Sequence, residues 1–144
     1  MLSPLLPTEF VGTVCLSEEH LQHYLQSVGG GHPVHTSRAR AIEAGFQAPP
    51  VPGVHVQGAI LARFTQELAL HPIQLLEIKS RFRAPVYPGH PLSIRLSILP
   101  DSLKQGPHYQ IGVMAGQAVL ADGTIAVDLS LTVRISTVLA PTSA

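Results

Sequence analysis

Val56-Gln57-Gly58-Ala59-Ile60-Leu61-Ala62-Arg63-Phe64-Thr65-Gln66-Glu67-Leu68-Ala69-Leu70 decides the fold. Val56, Ala59, Ile60, Phe64 and Leu68 recur at helical spacing along one stripe, which Leu61 widens. So much apolar surface predicts one long helix over 56–70, buried on more than one side. From Pro72 the apolar period changes to two. Ile78, Ser80 and Phe82 point one way, and Lys79, Arg81 and Arg83 the other. Leu92, Ile94, Leu96 and Ile98 alternate with Ser93, Arg95 and Ser97, the pattern of a half-buried strand. A third strand runs from Tyr109 to Leu120. Asp122-Gly123 signals a hairpin, and alternation resumes from Ile125 to Arg134. Pro88-Gly89 is a turn, and Pro100 to Pro107 reads as a loop.

Upstream of the helix, Phe10 to Cys15 reads as a short strand. Ser17 stands where an N-cap belongs, with Glu18 and Glu19 in the first turn. Leu21, Tyr24, Leu25 and Val28 follow at helical spacing, and Gly29-Gly30-Gly31 ends that helix. A second short helix spans Thr36 or Ser37 to Ala44 and closes at Gly45. Pro49, Pro50 and Pro52 make 47–53 an extended loop. Elements segregate into an early helical half and a later strand half, which is α+β. An antiparallel sheet wrapped around one long central helix is the geometry of a hotdog fold.

The chain has 144 residues, 45 % of them hydrophobic and 12 % charged, so it reads as one domain, 1–144, with a frayed tail from about 137. Nine basic and nine acidic side chains cancel, which argues against a nucleic-acid surface. No apolar run reaches the ~20 residues of a membrane span. The first residues lack a basic segment and a cleavage site, so no signal peptide is expected. Cys15 stands alone, which excludes an internal disulfide and a cysteine metal cluster and suits a reduced, cytoplasmic setting. Low charge and an open sheet edge predict at least a homodimer.

Three segments carry a resemblance. Gly29-Gly30-Gly31-His32-Pro33-Val34-His35 precedes Ala41-Ile42-Glu43-Ala44-Gly45-Phe46. Pro52-Gly53 opens the long helix. Arg81-Phe82-Arg83-Ala84-Pro85-Val86-Tyr87-Pro88-Gly89 follows it. In this order they resemble the MaoC-like hotdog proteins, the (R)-specific enoyl-CoA hydratases and 3-hydroxyacyl thioester dehydratases, over residues 15 to 135. That family shows a Gly-Asp-x-Asn-Pro-hydrophobic-His loop whose aspartate and histidine form the catalytic pair. The resemblance implies a CoA- or carrier-bound acyl thioester as substrate and no separate cofactor.

The departures bear on chemistry. The family's aspartate position falls on Gly30 and its asparagine on His32, while His35 keeps the histidine. Ser37 and His90 stand at two further positions that the family gives to acids. His35 is the candidate acid–base group, with His32 or His55 as a replacement for the lost carboxylate. Restoring the acid by Gly30→Asp is expected to raise activity. Gly53 and Val54, with His55, start the central helix, where a free N–H and the helix dipole suit a thioester oxyanion. Arg81 and Arg83, beside Lys79, are the candidate phosphate contacts of CoA, against the alternative of a solvated strand face. No metal site is expected, since His32, His35 and His55 have no carboxylate or cysteine near them in sequence. Three readings stay open: a hydratase or dehydratase resting on His35, a non-catalytic acyl-thioester or heterodimer partner subunit, and a hotdog thioesterase using Glu67.

Overall fold

The computed structural model describes residues 5–138. Strand β1 (Glu9–Val14) leads into helix α1 (Glu18–Ser27), then a 3₁₀ turn at Pro33–His35 and the short helix α2 (Arg38–Glu43). Helix α3 (Gly53–Gln66) follows. Strands β2 (Ile73–Phe82), β3 (Leu92–Ile98), β4 (Lys104–Gln105), β5 (Tyr109–Leu120) and β6 (Ile125–Ser136) complete the chain. One antiparallel sheet has the order β1-β3-β5-β6-β2, with β4 paired to β5.

Local chemistry sets the helix ends. The Ser17 hydroxyl accepts the His20 N–H at 3.0 Å, and His20 Nδ1 accepts the Ser17 N–H at 3.1 Å, so histidine fills the role Glu or Gln usually takes in a capping box. Pro52 precedes α3 and its carbonyl accepts the N–H groups of His55 and Val56 at 3.0 and 3.1 Å. Proline supplies the fixed φ that starts a helix without needing a side-chain cap. Ser37 caps α2 through the Arg40 N–H. In the β5–β6 turn, the Asp122 carboxylate accepts the Thr124 N–H at 2.9 Å, which holds its pKa below the usual range.

The central helix differs from the expected one at both ends and on its flanks. It starts three residues earlier, because Pro52 and Gly53 serve as its entry. It ends at Gln66, because Glu67 to Leu70 form turns ahead of Pro72, and the residue before a proline is driven out of helical conformation. Only Val56, Ile60 and Phe64 are fully buried, so in the single chain the helix is covered on one stripe, not on several sides. Val54 at its start is 64 % exposed. The strands are also not a simple meander from Pro72 onward. β2 pairs with β6 at one edge, β3 pairs with β1 and β5, and β1 from the front half closes the other edge. The segment between β2 and β3 holds Pro85, Pro88 and Pro91, which rule out a tight hairpin there and carry the chain across the sheet. The loop expected over 100–107 contains a 3₁₀ turn and β4. The frayed tail expected from about 137 falls mostly on 139–144, outside the described residues. The Thr137 N–H is held by the His108 carbonyl at 2.9 Å.

The α3 stripe packs on alternate residues of the strands, among them Ile94, Leu96, Met114, Leu131 and Val133, all buried. Phe64 meets Phe10 of β1 edge-to-face at 5.4 Å. Phe64→Ala is expected to cost about 3–5 kcal/mol of unfolding free energy. A urea titration that shows a loss under about 1 kcal/mol would remove α3 from the centre of the core.

Candidate active site

His35 ends the 3₁₀ turn that follows the glycine run. Its Nδ1 lies 2.8 Å from the Pro50 carbonyl oxygen. A carbonyl only accepts, so Nδ1 carries a proton and donates, which in the neutral ring is the tautomer with its lone pair on Nε2. Pro50 belongs to the proline loop that delivers the chain to Gly53. The same loop therefore orients the imidazole and starts α3.

His35, Phe46, Pro50, Val51, Gly53, Val56, Phe82, Arg83 and Val86 line one cleft of about 330 Å³. Gly53 is the first residue of α3, where backbone N–H groups have no partner one turn back within the helix. The Phe82 ring lies so close that a Cβ on Gly53 would sit 3.0 Å from two of its carbons. The glycine thus permits a close approach of ring and helix terminus. The cleft combines an oriented imidazole, a helix N-terminus and apolar walls. It can take a ligand with one polar, charge-developing atom beside an apolar body.

The structure does not bring the other candidates into this cleft. His32 is exposed, and its Nδ1 accepts the Val34 N–H at 3.0 Å as the cap of the 3₁₀ turn. Val54 points to solvent. His55 stacks on Tyr24 of α1, ring centroids 4.3 Å apart and planes 6° from parallel. Burial, and then the nearby His20, lower its pKa from the usual histidine value, which favours the neutral ring. Its Nδ1 is buried without a hydrogen-bond partner. Arg83 borders the cleft, but its guanidinium reaches the Asp128 carboxylate at 3.3 Å, across the sheet face opposite α3. Arg81 and Lys79 line a separate depression of about 450 Å³ with Asp128 and Ser130, and Lys79 pairs with Glu77. Glu67 sits past the far end of α3 from Gly53, a helix about 20 Å long, and is bound to Arg63 at 2.6 Å. Among the described residues, no three His, Cys, Asp or Glu side chains are grouped to hold a metal ion, and no helix is long and apolar enough to cross a membrane.

Gly30 has a structural reason. Its N–H bonds to the Leu25 carbonyl at 2.7 Å, and the Gly29 N–H to the Gln26 carbonyl at 3.3 Å. These are the two bonds of a Schellman motif ending α1. Gly30 adopts φ +104°, flanked by Gly29 and Gly31 at +82° and +72°. A Cβ on Gly30 would meet no atom within 4 Å, so space is not the obstacle to an aspartate there. Backbone conformation is, since φ +104° strains any side chain placed at Gly30. Phe46 and Val86 stand in the segments that carry the resemblance but had no role assigned, and the Pro50 carbonyl was not singled out. Phe82 was visible in the strand pattern but without a role.

A family model described as MaoC like domain matches residues 7–115. No curated protein is significantly similar in sequence. Among solved structures, the (R)-hydratase from A. caviae involved in PHA biosynthesis superposes with a TM-score of 0.73 at 16 % identity, over 87 % of this chain and 92 % of that one. The unliganded R-hydratase PhaJ1 from Pseudomonas aeruginosa gives 0.69 at 22 % identity, over 94 % and 88 %. A chain of the HadBC 3R-hydroxyacyl-ACP dehydratase complex from Mycobacterium tuberculosis gives 0.66 at 19 % identity, over 88 % and 95 %. These likenesses show the fold, an antiparallel hotdog sheet around one helix.

Gly30→Asp is expected to lower stability by about 1–2 kcal/mol, because a side chain at that φ is strained. Chemical denaturation of the purified variant checks this. An unchanged midpoint would mean that the loop adopts an aspartate-compatible backbone at no cost.

Proposed function

Because the chain belongs to the MaoC-like domain family, we propose that its cleft binds an acyl thioester and slowly hydrates the (R)-specific enoyl form, or dehydrates the 3-hydroxyacyl form, with His35 as acid–base group. The observation that supports this reading is the His35–Pro50 hydrogen bond, which engages Nδ1 and leaves the other ring nitrogen available on a residue that lines the same cleft as Gly53. In hydration, Nε2 takes a proton from water as its oxygen adds to the β-carbon. The electron pair moves to the thioester oxygen, where the N-terminus of α3 stabilises the enolate. The imidazolium then returns the proton to the α-carbon. No cofactor enters this sequence. CoA and a carrier-bound thioester present the same reacting group; Arg83, whose guanidinium is drawn to Asp128, and Arg81 on the same outer sheet face are both poorly placed for the phosphate of either.

A second reading has its own support. Among the described residues lining the cleft there is no carboxylate, and Gly30 is committed to ending α1. A subunit of this kind binds the thioester or partners a chain with a complete loop. The thioesterase reading has less support, since its candidate base Glu67 pairs with Arg63 and does not line this cleft.

The test is the absorbance loss of crotonyl-CoA with purified protein. Turnover is expected, and His35→Ala should lower it about 10²–10⁴-fold. Turnover unaffected by His35→Ala refutes the mechanism. An inert wild type that still binds acyl-CoA favours the second reading.

Assembly belongs to the same proposal. β2 is an edge strand with one side unpaired, and Leu75, Leu76 and Phe82 along it are exposed, as is Val54 on α3. An unpaired ten-residue edge with apolar side chains is suited to pairing with a second copy. Light scattering should give about twice the chain mass of 15.3 kDa. A monomer mass at micromolar concentration rules the homodimer out. The exposed lone Cys15 accords with a reduced, cytoplasmic setting.

A further inference from the structure

The loop that carries Pro50 is poor in hydrogen-bond donors. From Gln47 to Pro52 only Gln47, Ala48 and Val51 have a backbone N–H, because Pro49, Pro50 and Pro52 have none. Such a loop builds no ladder of its own and is held by what its few donors reach. Two of those donors reach the crossover between β2 and β3. The Val51 N–H bonds to the Val86 carbonyl at 2.8 Å, and the Gln47 N–H bonds to the Tyr87 hydroxyl oxygen at 3.0 Å. The second bond ends on a side chain, 40 residues away in sequence.

The crossover is itself anchored on both sides of these contacts. The Arg83 N–H bonds to the Ala126 carbonyl of β6 at 2.8 Å, and the Gly89 N–H to the Leu16 carbonyl ahead of α1 at 2.7 Å. Val86 between them is buried. The Tyr87 ring meets His90 edge-to-face, with centroids 5.9 Å apart. A phenol placed from a fixed segment thus fixes one end of the proline loop. Three residues further along that loop, the Pro50 carbonyl accepts the His35 Nδ1–H at 2.8 Å. In the neutral ring this bond decides which nitrogen carries the proton and how the imidazole is turned. We infer that Tyr87 is a positioning residue for His35: its hydroxyl holds the proline loop in the place where the Pro50 carbonyl selects the Nδ1–H tautomer. Tyr87 is not among the residues that line the cleft, so it acts through the loop. Its effect on turnover rests on the acyl-thioester reading above; its effect on the imidazole does not.

The test compares full-length wild type with Tyr87→Phe, which keeps the ring and removes the oxygen. Both carry ¹⁵N-labelled histidine, and the His35 signals are assigned by their loss in His35→Ala. Ring-nitrogen shifts are read at about pH 9, above the ordinary histidine range. Wild type should show the Nδ1–H form. Tyr87→Phe should move the tautomer ratio at least about threefold toward Nε2–H, the scale of one weakened hydrogen bond. Phe64→Leu, which loosens the core away from this loop, should lower the melting temperature and leave the ratio unchanged. With crotonyl-CoA, Tyr87→Phe should lower kcat about 5–30-fold and change KM by less than about twofold, since a misplaced acid–base group is felt in the transition state more than in binding. An unchanged ratio in Tyr87→Phe overturns the inference, as does an equal change in Phe64→Leu or an unchanged kcat in an active enzyme. A wild type without the Nδ1–H preference overturns it together with the His35 mechanism. A shifted ratio in a protein inert on crotonyl-CoA upholds the positioning role and counts against turnover by His35.

Discussion

The seating of Phe64, Ile60 and Val56 in the concavity of the sheet is the contact from which the rest of the molecule is arranged. These side chains are fully buried, and each is worth about 1.5–3 kcal/mol of transfer free energy relative to an exposed state. Fixing that stripe fixes the rotation of α3 about its axis. With the rotation set, Gly53 at the first turn faces the end of β2, and Tyr24 of α1 finds His55 on the opposite flank. Pro52 makes the entry rigid, and the Pro50 carbonyl then has one place to be, against His35. The chemistry of the cleft is thus a consequence of helix packing, transmitted through a short stretch of proline-rich chain.

That coupling explains which features were legible in the residues and which were not. The α3 stripe and the period-two strands are strong signals because burial selects apolar side chains at fixed spacing. Strands β3, β5 and β6 lie close to where alternation puts them. Strand order was not legible, since alternation states which face is buried and not which strand is the neighbour. The two-residue β4 is too short for any period. The sequence pattern carries the helix too far because Leu68, Ala69 and Leu70 continue the apolar content after the backbone has already turned ahead of Pro72.

The site was legible in part. His35 and Gly53 could be singled out, and they line one cleft. The hydrogen bond that orients His35 comes from a backbone carbonyl, which carries no residue signature. His32 and His55 were plausible proton carriers by type, but each is engaged in local structure: one caps a turn and the other stacks on Tyr24. Arg81 and Arg83 obey strand alternation, and that same rule directs their side chains away from the face where α3 lies. Residue type suggested the chemistry, while orientation decided access.

The glycine run shows two demands meeting at one position. Ending α1 with a Schellman motif requires that the backbone turn through left-handed conformations, which glycine adopts without strain. The motif's own left-handed position is Gly29, and Gly30 beside it donates the closing N–H at φ +104°, where a carboxylate-bearing side chain would be strained. Helix α1 in turn holds Leu21 and Leu25 buried and presents Tyr24 to His55 on the first turn of α3. The loop that supports His35 is therefore tied to the seat of α3 from both sides, through α1 and through Pro50. A change at Gly30 acts on the cleft by moving these supports as much as by adding a charge.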